Sequence, residues 1–332
     1  MTAGETLPPA PSPSLPAQLT FRTLRPMDVL TTVDEQRITA GGRPFWLDLI
    51  DPPAAEVERV GGLLGLHPVA LEDTREFGQR PKVDVYEDNV LLVFYTARLG
   101  DAQSPEPIEV HVYVAAGYVL TVRRTSCVVL DDLRGRLSEG SEHPVYQILD
   151  TLTDAFYPVI DGLEQRIDAL EWEVLARARR EQLEAIYRLR QDVRELGRLT
   201  NTQRDQFQEA AGELRGTIQA DDDMHQYLRD IGDHLAQVAG ELHRQNEDLA
   251  ALTSTYFNAN ADRLNAVATR LTVLGTLFVL WTLVTGFFGQ NFAWLTDHVE
   301  SQADFLLFGL GGLLVPTVIL LGILWTKRHD WF

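Results

Sequence analysis

The sequence predicts a membrane protein with an α/β N-terminal domain, a long-helix stalk and two C-terminal transmembrane helices. Three observations carry this expectation. Leu271 to Phe288 and Phe305 to Trp325 are uncharged apolar runs, each close to the ~20 residues a helix needs to cross a hydrocarbon core. Upstream, apolar residues recur at three- and four-residue steps, and no proline interrupts the chain from Asp223 to Phe288. The first part of the chain instead holds short runs rich in β-branched and aromatic residues, bounded by turn signals.

Each element follows in order. Residues 1–18 include the Pro-, Ser- and Ala-rich Pro8 to Pro16 and predict a disordered leader, with neither the basic start nor the apolar centre of a signal peptide. Residues 19–143 predict a cytoplasmic α/β domain. Its strands are expected at Phe45–Ile50, Val90–Leu99 and Ile108–Val122, the last with a hairpin turn at Ala115-Ala116-Gly117. A helix is expected from Ala54 to Leu66, opened by Pro52-Pro53 and with Gly65 near its end.

Residues 144–222 predict antiparallel cytoplasmic helices. Leu149, Leu152, Phe156, Ile160, Leu163, Ile167, Leu170 and Val174 form one stripe, expected on a single long helix. A second helix is expected from Glu181 to about Ile218, followed by a polar turn at Asp221-Asp222-Asp223. In residues 223–288, Leu228, Ile231, Leu235, Val238, Leu242, Gln245, Leu249, Leu252 and Tyr256 form a coiled-coil seam. The simplest expectation is one helix of about 65 residues, about 100 Å at ~1.5 Å per residue, running on into the first span. The alternative is a break at Asn258-Ala259-Asn260. Residues 289–304 then form an extracellular loop, 305–325 the second span and 326–332 a basic cytoplasmic tail.

The net charge of the 332 residues is -19, nearly all of it outside the spans. That argues against nucleic acid, which needs a basic footprint. It suits a surface that concentrates cations, or simply a solvated acidic one. Cys127 is the only cysteine, so no intrachain disulfide forms, as in a reducing compartment. Arg263 and Arg270 precede the first span and Lys327 and Arg328 follow the second, while the loop between holds Asp297, Glu300 and Asp304. The positive-inside rule therefore puts both termini in the cytoplasm of a multi-pass cell-membrane protein. Lys327-Arg328-His329 would meet anionic lipid headgroups as a basic collar. No phosphate loop, nucleophile elbow or His-Glu-x-x-His cluster is present, so no enzyme and no organic cofactor is expected. His67, His111, His225 and His234 are scattered and default to structural roles.

A chain with two spans is either an anchored soluble protein or one subunit of a pore. The first span carries Asn265, Ala268, Thr272, Gly275, Val279, Thr282 and Gly286 at steps of three and four, with Thr276 on the edge. This face is small and polar, whereas Leu274, Leu277, Leu280 and Trp281 lie opposite. Small residues allow close helix packing, and a ring of such helices could equally turn the stripe inward to line water. Gly286-Phe287-Phe288-Gly289-Gln290-Asn291-Phe292 tips the balance. Two glycines permit tight, non-helical backbone at the membrane surface. In a ring, Gln290 or Asn291 would present neutral oxygens to the water shell of Mg²⁺, an ion that sheds water reluctantly.

On these residues the chain resembles the CorA family of divalent-cation channels over nearly everything after residue 40. The match includes Trp46-Leu47-Asp48 with Pro52, Leu66-His67-Pro68 with Leu71-Glu72-Asp73, Gln79-Arg80-Pro81-Lys82-Val83, and Tyr227-Leu228-Arg229-Asp230 with Asp233-His234. Asn265, Leu271-Thr272, Thr276 with Phe278, Thr282 and Gly286 follow in register, and Phe288-Gly289-Gln290-Asn291 resembles the family's aromatic-Gly-Met-Asn signature. The resemblance implies a funnel-shaped homopentamer with a cytoplasmic α/β funnel, transporting Mg²⁺, with Co²⁺ or Ni²⁺ as further cargo. Asn291 would be the selectivity residue, supported by Gly289 and Gln290. Asn265 and Thr282 would be polar rings, and Leu271 and Val279 the apolar constriction that closes by dewetting. Ordinary packing for Leu271 and Val279, and helix–helix bonding for Thr282, remain the plain alternatives.

Gln290 stands where the family usually has Met and Leu280 where it usually has Pro. The first departure leaves a zinc or proton-coupled carrier of the same family as an alternative; the second suggests a straighter span. A membrane-anchored coiled-coil sensor would explain stalk and spans but not the stripe. Family members also bind regulatory Mg²⁺ between neighbouring cytoplasmic domains. The matching acids are Asp230 on the stalk and Asp88, or Glu87 beside it, on the funnel, with solvated surface acids as the plain reading. Asp154, Asp161, Glu164, Asp168 and Glu171 flank the helical stripe, as a solvated face or as holders of cations.

Overall fold

The computed structural model describes residues 27–40, 42–101, 103–137, 143–217, 222–290, 293, 297 and 301–326, with the side chains of 211–225, 288, 305 and 324 left out. The expected leader, Asp221, Asn291 and the Lys327-Arg328-His329 collar lie outside the described residues, while Asp222 and Asp223 of the expected polar turn already begin the long helix. The chain divides into two compact units. One comprises residues 1–171 and 183–251, the other 172–182 and 252–332.

The first unit is built on a six-stranded sheet. Its strands are β1 (Asp28–Leu30), β2 (Phe45–Ile50), β3 (Lys82–Val85), β4 (Val90–Leu99), β5 (Pro105–Val114) and β6 (Tyr118–Arg123), in the order β1-β2-β6-β5-β4-β3. β1 pairs with β2, and β2 with β6, in parallel, with Trp46 opposite Val119. The β6-β5-β4-β3 half is antiparallel. β2 and β4 are buried on both faces, so alternate residues enter different cores. Phe45, Leu47 and Leu49 with Leu91 and Val93 pack towards Val60, Leu66 and Ala70. Trp46, Leu92 and Phe94 pack towards Leu130, Ile148, Phe207, Ile231 and Leu235.

The first core is closed by α2 (Ala54–Leu64) and α3 (Pro68–Glu76), beside the short α1 (Glu35–Thr39). Gly65 ends α2 in the left-handed region at φ 68°, where a Cβ would be strained. The second core is closed by α4 (Val128–Leu137), α5 (Pro144–Asp154), α7 (Arg180–Thr217) and the start of α8 (Asp222–Phe288).

The stripe expected on one helix is divided between α5 and α6 (Phe156–Ala176), with Ala155 as the joint. The cause is Pro158. It has no N–H for the Asp154 carbonyl, and its ring would clash there in a continuous helix. The apolar period continues across the joint, with Leu149 and Leu152 of α5 and Phe156, Ile160 and Leu163 of α6 all buried. α8, by contrast, is one helix of 67 residues with no break at Asn258-Ala259-Asn260.

In the second unit, α8 ends at Phe288. After the short turn Gln302–Asp304 the chain enters a π-helical stretch, Phe305–Leu310, and then α9 (Gly311–Thr326). Pro316 lies inside α9, a position tolerated where membrane helices re-satisfy the freed carbonyl. The two helices are long and apolar enough to cross a membrane. They are joined by a hydrogen bond from Trp281 Nε1 to Thr317 Oγ1 of 3.0 Å.

Candidate pore face and divalent-cation cluster

Asn265, Ala268, Leu271, Thr272, Gly275, Thr276, Val279, Thr282 and Gly286 are all exposed on α8. Val273, Leu277, Leu280 and Val284, nearly opposite, are partly covered. Trp281, on the flank of these residues, donates to Thr317 of α9, and the small polar face is exposed, as are Leu274, Phe278 and Leu283 beside it. Val279 is 70% exposed and Leu271 64%, high values for apolar residues that no lipid or protein covers in the single chain.

The threonines of this helix are half-satisfied. Thr272 donates to the Ala268 carbonyl at 2.9 Å, Thr276 to that of Thr272 at 2.9 Å and Thr282 to that of Phe278 at 2.7 Å. Each hydroxyl proton is therefore spent on the backbone, and each oxygen keeps a lone pair for an outside donor. A hydrated cation presents outward-pointing water hydrogens, which such acceptors suit.

The end of the helix corrects one expectation. Gly286 remains helical, and a Cβ there would meet nothing within 4 Å, so it marks open space rather than a bend. Gly289 makes the stop. Its N–H donates to the Thr285 carbonyl at 2.8 Å, and a Cβ would come within 3.1 Å of that oxygen. Gln290 follows, exposed, its N–H reaching the Phe287 carbonyl at 3.3 Å.

A second group assembles around Asp230. Tyr146 Oη donates to Asp230 Oδ2 at 2.8 Å. His234, one turn along α8, has Nε2 3.8 Å from Asp230 Oδ1, and Nδ1 3.4 Å from Asp150 Oδ1 and 3.7 Å from Asp154 Oδ1. Those last contacts are ion-pair distances without hydrogen-bond geometry, and both Asp150 Oδ1 and His234 Nδ1 are buried atoms without a hydrogen bond. One donor atom each from Asp150, Asp154 and His234 lie within 4.8 Å of one another. Burial, then the Asp154 charge, pushes the Asp150 carboxyl above its ordinary range. Burial and the Asp230 and Asp150 carboxylates push the Tyr146 phenol up. Two carboxylates and an imidazole with orphaned atoms are a donor set that a divalent cation with remaining water ligands fits.

His234 is thus not isolated, as the sequence suggested. Its partners on α5 lie too far away in sequence for spacing to reveal them. Asp150 was also missed, and Asp154 had been placed on the flank of the stripe, as a solvated acid or a holder of cations, without its partners. Glu87 and Asp88 are exposed on the turn between β3 and β4, closed by the Tyr86 N–H to Asn89 carbonyl bond of 2.8 Å. Neither is among the partners of Asp230 within the chain. His111 is a satisfied core histidine, bonded to Thr74 and Glu109 at 2.9 and 2.8 Å. His67 caps α3.

Residues 42–328 match the family described as CorA-like Mg²⁺ transporter protein. The chain belongs to that family. The cobalt/magnesium transport protein CorA of Thermotoga maritima is 26% identical over 267 residues, 76% of this chain and 75% of that protein. The zinc transport protein ZntB of Yersinia enterocolitica is 24% identical over 315 residues, 91% of each. The complete structure of the CorA magnesium transporter from Methanocaldococcus jannaschii aligns with TM-score 0.71 at 20% identity, over 86% of this chain and 91% of that one. The CorA fold is accordingly that of this chain: an α/β domain, a long helix and two C-terminal membrane-length helices. As a CorA-family protein it is a divalent-cation transporter and not an enzyme.

Proposed function

We propose that five copies of this chain form a cell-membrane channel that admits hydrated Mg²⁺, with Co²⁺ and Ni²⁺ as further cargo. The observation that carries this reading is the bare, small, polar face of α8, from Asn265 to Gly286, on the side away from α9. Five such faces turned inward line a path with threonine oxygens that accept from the ion's water shell. Asn265 and Thr282 supply polar rings, and Leu271 and Val279 supply apolar ones that close the path by dewetting. Gly289, Gln290 and Asn291 form the outer entrance, where neutral oxygens hold the hydrated ion. Both termini are cytoplasmic.

The regulatory cation is assigned to the acids around Asp230. Asp230 and the cluster of Asp150, Asp154 and His234 face Asp88 or Glu87 of the next subunit. Carboxylates repel across an interface until a cation bridges them, so occupancy favours the closed ring and loss loosens it. A zinc-selective or proton-coupled variant rests on Gln290 in place of Met and on the resemblance to a zinc transport protein.

Proteoliposome flux decides between the readings. We expect Mg²⁺, Co²⁺ and Ni²⁺ entry without a pH gradient. Zn²⁺ flux that requires a pH gradient would establish the carrier instead, and no divalent flux at all would favour an anchored sensor.

A further inference from the structure

In the first unit, the flanks of α7 and α8 and the segment before β3 enclose a groove of about 680 Å³. Its walls carry Arg80, Arg194 and Arg198 against one carboxylate, Glu195. Arg194 and Arg198 lie one turn apart on α7, and Arg190 precedes them by another turn. Like charges at this spacing repel along a helix. Among the described residues none of Arg80, Arg194 and Arg198 forms an ion pair, although the chain carries a net charge of -19. Acids that could neutralise them are abundant elsewhere and absent from this groove save Glu195.

The groove is also ordered for use. Asn246 on α8 accepts from Arg194 Nε at 3.3 Å and from Arg190 Nε at 3.4 Å through one oxygen, which fixes both side chains on the α7 flank. Arg194 keeps its terminal nitrogens for another acceptor. Pro81, Leu199 and Leu242 add apolar lining. Guanidinium forks match phosphate oxygens in bidentate geometry, and an apolar wall beside them suits the organic part of a phosphate-bearing molecule.

We infer that this groove binds a polyphosphate anion, separate from the cation path and from the Asp230 cluster. The shared chemistry is a chain of phosphate groups, from an inorganic polyphosphate or a nucleoside triphosphate.

The test is isothermal titration calorimetry on the full chain in detergent, with EDTA present to remove divalent cations. Sodium triphosphate and adenosine triphosphate are titrated separately. Saturable binding is expected, weakening as NaCl rises because charge drives it. Tighter binding of the nucleotide assigns the apolar wall to its base, and equal binding assigns the site to phosphate alone. Affinity should drop at least tenfold in the R194Q/R198Q double variant. R80Q changes a residue outside the helices and should weaken binding at least threefold in a chain that still folds. No saturable heat with either anion, or equal affinity in wild type and both variants, overturns the inference. So does a wild type that binds neither anion while R194Q/R198Q loses its oligomeric state, which would assign the groove to an acidic face of a second copy.

Discussion

Asp131 and Glu109 show how single charges set the acid limit of this fold. Burial raises both carboxyls, but their partners win. Arg123 and Arg134 pull Asp131 below its ordinary range, and His111 with the N–H groups of Gly78 and Gln79 pulls Glu109 down. A carboxylate depressed on folding stabilises the fold above its unfolded value near ~4, and that stability is lost as pH falls through the lower folded value. The unfolding midpoint should therefore stay level from pH 7 to about 5 and fall steeply below about 4, with the loss blunted in Glu109→Gln. Asp150 has the opposite sign, since burial and Asp154 raise it. In EDTA, Asp150→Asn should raise the thermal midpoint. Mg²⁺ at about a hundred times its dissociation constant should stabilise wild type by about 2.7 kcal/mol and the variant much less. In flux assays Asp230→Ala should weaken inhibition by cytoplasmic Mg²⁺ about tenfold. Equal Mg²⁺ protection of wild type and Asp150→Asn would remove the cation from this cluster.

At the scale of elements, α8 is the test case, because its continuity over 67 residues was the boldest expectation from sequence. A proline at an interior position removes one hydrogen bond and clashes with the preceding turn, at about 3 kcal/mol. Asn260→Pro should lower stability by about that amount and uncouple flux from cytoplasmic Mg²⁺. Retained coupling would mean that the helix already bends there. β2 and β4 were legible to the residue because both faces are buried and apolar runs mark them. β1 and β3 were missed: they have three and four residues, and no fully buried side chain stands out in either. The α5–α6 joint was missed because the apolar period continued through Pro158 and outweighed the proline. The small polar face of α8 was legible because it is a pattern on one helix. The Asp150–Asp154–His234 group was not, because it joins α5 to α8 and no local period relates them. Asp48 illustrates the same limit within a recognised motif. Its carboxylate is fully buried among Thr121, Arg123 and Arg134 at 2.6, 2.8 and 3.2 Å, a structural network that the β2–β6 pairing and α4 bring together.

At the scale of the whole molecule, the proposed pore would exist only between copies, so the proposed apolar constriction must be tested in the assembly. Val279 projects from the bare face of α8 with Thr272 and Gly275 before it and Thr282 beyond. In a ring of five, its isopropyl groups would surround the axis and exclude water by having nothing to offer it. A hydroxyl at the same position offers a hydrogen-bond partner and lowers the cost of wetting. Val279→Ser should therefore leak: divalent flux at high cytoplasmic Mg²⁺ should rise about tenfold while open-state flux changes little. Native mass measurement of the same preparation should give five chains for wild type and variant alike. If the variant stays tightly closed while remaining pentameric, Val279 packs against a neighbouring helix and does not face the path. If the chain proves monomeric in the bilayer, the inward ring fails as a whole. The two outcomes separate a misplaced gate from a wrong architecture, because the first changes only which face of α8 meets the axis.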